Sequence, residues 1–273
     1  MANIPLENSL KVPTHKIQQS FEQAKNVLFT TGIVGQYFFV LYIAIFYGWV
    51  ISNGYYEKLN GHGVIEGDTM GNFALGIHVF LAAIIMFGGP LQFLSSIRKR
   101  YPVFHRWNGR IFFSTALITV CAGLYMNATR GAHGGMLLAL GNGLNALLIG
   151  AFTFMAWRTA LQQDFISHKK WALRAFLMVS GVWFFRVGYG LWILLTGFTA
   201  IGIHPDLTGP FDRFLGFGHS IVPLVLLELY FLAKASKQVK VKRVATVSMW
   251  ILTLLLAAGI VMVGVVFWVP AFG

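Results

Sequence analysis

Apolar runs of about twenty residues recur along the 273-residue chain, and short polar clusters separate them. A helix rises 1.5 Å per residue, so about 20 apolar residues cross the ~30 Å hydrocarbon core of a bilayer. The runs predict spans over roughly 30–52, 72–97, 103–127, 133–157, 168–198, 214–234 and 244–270. The weak alternation that marks an outer-membrane barrel is absent. The predicted fold class is an all-α integral membrane protein of about seven transmembrane helices, forming a single domain over 30–273. Ahead of it, "KIQQSFEQAKNVLF" sets Ile17, Phe21, Ala24 and Leu28 at helical spacing. This predicts a short amphipathic helix within 1–29, lying along the cytoplasmic membrane surface. No cleavable signal is expected there, because no basic-then-apolar run ends in a small-residue cleavage site.

Composition agrees with the pattern. Only 11% of residues are charged and 56% are hydrophobic, where a soluble domain carries about a quarter charged. The net charge of +12 matters through its distribution. Lys11, Lys16 and Lys25 precede the first span, and Arg98, Lys99, Arg100, Arg106 and Arg110 fall between the second and third. Arg158, Lys169, Lys170 and Arg174 fall between the fourth and fifth, and Lys234, Lys237, Lys240, Lys242 and Arg243 between the sixth and seventh. The intervening loops hold Lys58, Arg130 and Arg213 among Glu57, Glu66, Asp68, Asp206 and Asp212. Every second loop is basic, so the positive-inside rule predicts a cytoplasmic N-terminus and an outside C-terminus. The excess charge encodes topology, and no nucleic-acid partner is expected.

Cys121 is the only cysteine. It excludes intrachain disulfides, c-type haem attachment and cysteine-ligated iron–sulfur clusters. No extramembrane segment is long enough for a nucleotide- or flavin-binding domain, so any redox partner is a separate molecule or a neighbour in a larger membrane complex.

Ionisable groups in hydrocarbon are costly, and each needs a partner or a purpose. His78 lies six residues past Asn72, and His219 six past Arg213, so both sit about 9 Å into their helices. His133, in "RGAHGG", is nearer the interface. Two histidines at one depth suit a haem iron and three suit a metal ion, whereas each alone suits a bond to a neighbouring backbone carbonyl. Pro223 removes the N–H that would meet the His219 carbonyl and predicts a bend there, and Pro90 predicts another in the second span.

At the opposite end "YPVFHRWNGR" and "SHKKWALR" each place a histidine, basic residues, a tryptophan and an arginine at the mouth of an apolar run. His105 and His168 fall in the first turns of their helices, with Pro102 in one first turn and Ser167 as N-cap of the other. Interfacial anchoring accounts for Trp107, Trp171 and most of the charge. Arg110 and Arg174 sit deeper than anchoring requires. Glu228 is at their height and is expected to pair with one of them. Arg186 has no acidic residue at its level, so backbone carbonyls, Asn142 or Asn145, or a bound anion such as a haem propionate or a lipid are its expected partners. Glycines 141, 143, 181, 188 and 190 are expected to allow close helix approach.

The series His78, Gln92, Arg98, then His105, Arg106, Gly109, Arg110, then His168, Trp171, Arg174, spread over roughly 72–190, resembles a bacterial family of multi-pass membrane proteins known as domain of unknown function 2306. That resemblance implies shared architecture and brings no activity. The chain is more loosely similar to transmembrane b-type cytochromes related to cytochrome b561 and the ferric reductases. This similarity implies histidine pairs on alternate helices of a four-helix core: His105 with His168 at the inner face, and His78 with His219 or His133 at the outer. The inner histidines depart from that pattern by sitting in first turns.

The leading expectation is a membrane electron-transfer protein. It binds one or two b-type haems through these histidines, with propionates at Arg186, and passes electrons between a quinol and a partner or metal substrate. A quinone is the other candidate ligand beside His105 and His168. The alternatives are a transporter or lipid- and anion-binding protein using a cytoplasm-facing set of His105, Arg110, His168 and Arg174, and a non-catalytic accessory subunit. Gln92 and Glu228 are open as proton-path members or packing partners.

Overall fold

The computed structural model describes residues 6–55, 64–132 and 134–268. Every regular element among them is helical: α1 (Leu6–Asn53), α2 (Thr69–Leu91), α3 (Ser95–Arg100), α4 (Pro102–Thr129), α5 (Gly135–Leu161), α6 (Phe165–Val179), α7 (Gly181–Leu195), α8 (Pro210–Ala235) and α9 (Val239–Val263), which continues as a π-turn over Gly264–Trp268. Six of these are long and apolar enough to cross a bilayer, and α6 with α7, bent by 58° at their junction, make a seventh span. Large apolar side chains such as Phe73, Phe80, Leu147 and Leu254 point outward, as a lipid environment allows and water does not. The chain is a multi-pass membrane protein.

Three boundaries differ from those the sequence predicts, each for a local reason. The second span ends at Leu91, where Gly88, Gly89 and Pro90 weaken the helix, and the basic stretch forms the separate α3. The fifth span breaks at Ser180–Gly181, a pair of the kind that bends helices. Gln36 of α1 donates to the Ser180 hydroxyl at 2.7 Å, and that hydroxyl donates to the Phe176 carbonyl at 2.8 Å. The first helix starts far earlier than 30 and runs without interruption through its 48 residues, about 72 Å at the standard rise. Its amphipathic stripe is therefore not a separate surface helix. Phe21 and Ala24 are fully buried against Ala233 of α8 and Met249 of α9, because an apolar helix face beside an apolar hairpin gains more from packing there than from the interface. The bend expected at Pro223 does not interrupt α8, which is continuous from Pro210 to Ala235.

Four elements form a ring in the order α2, α4, α5, α6, with α6 returning against α2. Helices α2 and α5 stand on one diagonal, α4 and α6 on the other. Helix α8 packs outside the ring against α5, α6 and α7, while α1 and α9 pair with each other and cover α2 and α7. The close approaches run through glycine. A Cβ on Gly141 would overlap the Gly216 carbonyl of α8, and one on Gly190 would come within 2.8 Å of the Gly259 carbonyl oxygen of α9. Gly143, by contrast, faces open space.

The loop end opposite the basic clusters is held by two polar knots. Arg130 donates to Asp68 at 2.6 Å and to Asn72 at 2.7 Å, joining the end of α4 to the start of α2. The Gly71 amide and this guanidinium hold the Asp68 carboxyl below the usual carboxylate range. Asp212, fully buried, accepts from the Tyr189 hydroxyl at 2.6 Å and from the backbone N–H of His204 and Gly209 at 2.9 and 2.8 Å.

Candidate functional site

At the basic end, Pro102 opens α4, and the His105 N–H bonds to the Tyr101 carbonyl at 3.0 Å, so His105 lies in the first turn. The start of α6 departs from the expected cap. Asp164 accepts from the Ser167 amide at 3.0 Å, and the helix begins at Phe165. The aspartate stands three residues ahead of Ser167, and its carboxylate is the stronger acceptor. His168 still falls in the first turn, with its N–H on the Asp164 carbonyl at 2.8 Å.

The two imidazoles differ in how they are held. His168 Nδ1 lies 2.8 Å from the Ala156 carbonyl of α5. A carbonyl only accepts, so Nδ1 carries the hydrogen and the neutral ring presents its lone pair at Nε2. This is the arrangement that outer-shell carbonyls impose on metal-ligating histidines. His105 has no such partner: its Nδ1 is buried without a hydrogen bond among the described residues. Its backbone carbonyl accepts from Gln92 Nε2 at 3.2 Å, and Asn108 one turn on donates to the Gly88 carbonyl at 2.8 Å. Gln92 and Asn108 thus bind α4 to the end of α2. The rings come from α4 and α6, diagonal members of the four-helix ring.

The deeper arginines separate. Arg174 forms a two-pronged ion pair with Glu228, Nε to Oε1 at 2.6 Å and Nη2 to Oε2 at 2.9 Å, and packs on Trp171 and Phe231, its guanidinium carbon 4.5 and 5.4 Å from the ring centroids. Arg110 is exposed on α4 and stacks on its own Trp107 at 4.9 Å. The expected joint anion site of Arg110 and Arg174 is not assembled. Glu228 already neutralises Arg174, and Arg110 lies on the outer side of its helix.

In the other half of the bundle, His78 of α2 turns to α4. Its Nδ1 donates to the Thr119 carbonyl at 3.0 Å, and its ring fits over Gly123, where a Cβ would stand 3.2 Å away. His219, 5% exposed, donates from Nδ1 to the Leu215 carbonyl of its own helix at 3.0 Å. Its ring meets Phe185 edge to face at 5.7 Å and fits against Gly181, just past the break in the fifth span. The two histidines meet different neighbours, His78 on α4 and His219 on α7. His133 lies outside the described residues. Among the described residues no three His, Cys, Asp or Glu side chains converge as a metal ion would require.

Arg186 projects from a different face of α7 than Phe185. Phe185 meets His219, whereas Arg186, one position on, turns to α1 and lies 5.1 Å over the Phe39 ring. Its hydrogen bond is to the Val182 carbonyl at 3.3 Å. Asn145, a candidate partner, accepts instead from Ser220 at 2.9 Å. A propionate of a group held by His219 would therefore not meet Arg186. Three polar features were not foreseen from the sequence: the Gln36–Ser180 bond, the Asp212–Tyr189 lock, and the buried indole N–H groups of Trp183 and Trp268, which lack partners among the described residues. Of these only the Ser180–Gly181 pair left a sequence signal.

No curated protein and no solved structure matches the chain. Residues 75–196 match the model of a family described as "Predicted membrane protein (DUF2306)". That stretch runs from within α2 to the end of α7, so it takes in the four-helix ring with His78, His105 and His168 and leaves α1, α8 and α9 outside. Over that ring the chain is similar to this membrane-protein family.

Proposed function

We propose that the protein is a membrane electron-transfer protein that holds b-type haem non-covalently between His105 and His168, in a bacterial inner membrane with the basic end toward the cytoplasm. The observation that carries this reading is that two diagonal helices of the ring each carry a histidine in the first turn. One ring is fixed with Nε2 free, and the other keeps a buried nitrogen without a partner among the described residues. A bis-imidazole haem supplies one-electron chemistry when bound. The chain supplies the rest. The Ala156 carbonyl sets the tautomer and angle of His168, and Gln92 holds the backbone under His105. Arg98 and Arg106 bring positive charge to the side from which anionic groups would approach. The electrons would pass between a quinol and a partner or metal substrate.

The competing anion-transport reading has less support, since Arg174 is neutralised by Glu228 and Arg110 points outward. The test is the absorption spectrum of the detergent-purified protein from a haem-replete host, with extraction and quantification of haem. A bis-histidine Soret band is expected. It should disappear in His105→Ala and in His168→Ala and persist in His219→Ala, with melting curves showing that all three fold. A wild-type protein with no extractable haem overturns the proposal.

A further inference from the structure

The imidazoles of His105 and His168 stand on unequal supports, and the first inequality lies in the ring hydrogens. On each ring Nδ1 is flanked by the Cβ branch, which would press on a flat macrocycle, so haem iron is taken by Nε2. A ring that gives Nε2 to iron must carry its hydrogen on Nδ1. For His168 that hydrogen has a place, because Nδ1 lies 2.8 Å from the Ala156 carbonyl of α5. For His105 it has none among the described residues, where Nδ1 is buried without a hydrogen bond. Off the iron, a neutral His105 can carry its hydrogen on Nε2 and leave only a lone pair at the buried position. On the iron it has no such choice. Ligation therefore strands a buried donor at His105 and employs a satisfied one at His168.

The Ala156 carbonyl does more than receive a hydrogen. An acceptor behind a ligating histidine fixes the ring and raises its basicity, and losing one typically weakens metal binding about 10- to 100-fold. A second inequality, in the backbone, runs the same way. Asp164 caps the first turn of α6 by accepting from the Ser167 N–H at 3.0 Å. The corresponding position of α4 is Tyr101, whose side chain makes no capping bond. Pro102 fits that first turn but brings no acceptor to it. An uncapped first turn opens more readily than a capped one. Gln92 and Asn108 tie this part of α4 to α2 through the His105 and Gly88 carbonyls, and neither bond involves the His105 ring.

We infer that the two histidines are unequal axial ligands: His168 is the fixed one, and His105 yields its place to a small uncharged diatomic molecule of the class of carbon monoxide, nitric oxide or dioxygen. This rests on the haem reading and adds a ligand-binding activity to it. In the exchange the bond from iron to His105 breaks and a bond from iron to the diatomic replaces it. No electron and no proton passes to the ligand. The test uses detergent-purified protein reduced with dithionite, with carbon monoxide as the probe and haem extracted and quantified alongside. Carbon monoxide is expected to convert the bis-histidine spectrum of the wild type to a carbonyl spectrum. His105→Ala should keep its haem with one axial position open, bind carbon monoxide at least as tightly as the wild type, and regain a bis-imidazole spectrum when imidazole is added. His168→Ala should retain about tenfold less haem, the scale of a lost supported ligand. Melting curves identify a variant that fails to fold, and the carbon monoxide titration of the wild type decides the matter by itself. A wild type without extractable haem overturns this inference together with the haem reading. A haem-loaded wild type whose reduced spectrum carbon monoxide leaves unchanged overturns this inference alone, as does an equal loss of haem from the two folded alanine variants.

Discussion

Arg174 and Arg186 occupy the two halves of one broken span and meet hydrocarbon in opposite ways. Arg174 is completed within the chain: a two-pronged carboxylate from α8 and two aromatic faces surround it. Arg186 has an aromatic face and a carbonyl of its own helix. A guanidinium answered by Glu228 is a fastening. Arg186 meets no carboxylate among the described residues. The same residue type, on the same span, thus differs by its partner alone.

Four experiments break or sharpen that contrast. The largest effect belongs to Glu228→Gln, which strands the Arg174 charge; with both side chains partly solvated, a loss of about 2 kcal/mol is expected, read as reduced thermal stability in detergent. Gln36→Leu comes next. It removes the donor to Ser180 at the junction of the two halves and should cost about 1 kcal/mol, with the junction losing protection in hydrogen exchange. Asp68→Asn tests an arginine pair outside the hydrocarbon, that of Arg130. The folded-state Asp68 carboxyl titrates below its unfolded value of about 3.9, so its contribution is present above that value and lost as pH falls through the folded one. Wild type and variant should therefore differ at neutral pH and converge in acid, measured as melting temperature against pH. The smallest effect is expected from Arg186→Gln in lipid free of carboxylates: a change within about 0.5 kcal/mol or a slight gain, since no carboxylate among the described residues pairs with it. A loss there as large as that of Glu228→Gln would mean that Arg186 is fastened after all.

The spans were legible in the sequence because transfer into lipid is nearly additive over residues, so a run of about twenty is sufficient by itself. Depth was legible too: rise per residue set Glu228 level with Arg174, and they pair. What a one-dimensional reading lacks is azimuth. His78 and His219 share a depth, yet one faces α4 and the other α7. Arg110 and Arg174 share a height, yet one turns out and the other in. The break at Ser180 depends on Gln36, 144 residues away, and no local rule sees across that distance. The start of α6 was ambiguous for a different reason: Asp164 and Ser167 are both good cap residues, and only the folded backbone shows which amide each one meets.

The long first helix has a consequence for how the protein is made. Phe21, Phe39 and Phe46 emerge early from the ribosome, yet Phe21 and Phe39 pack against residues of α9, among the last to appear. The first span must therefore wait in the membrane, held by its contacts with α2, until the last helix arrives. Only the arrival of the last hairpin locks the first-born helix in place, so a chain stalled or cut before α9 would keep its ring but leave α1 loose and open to quality-control proteases.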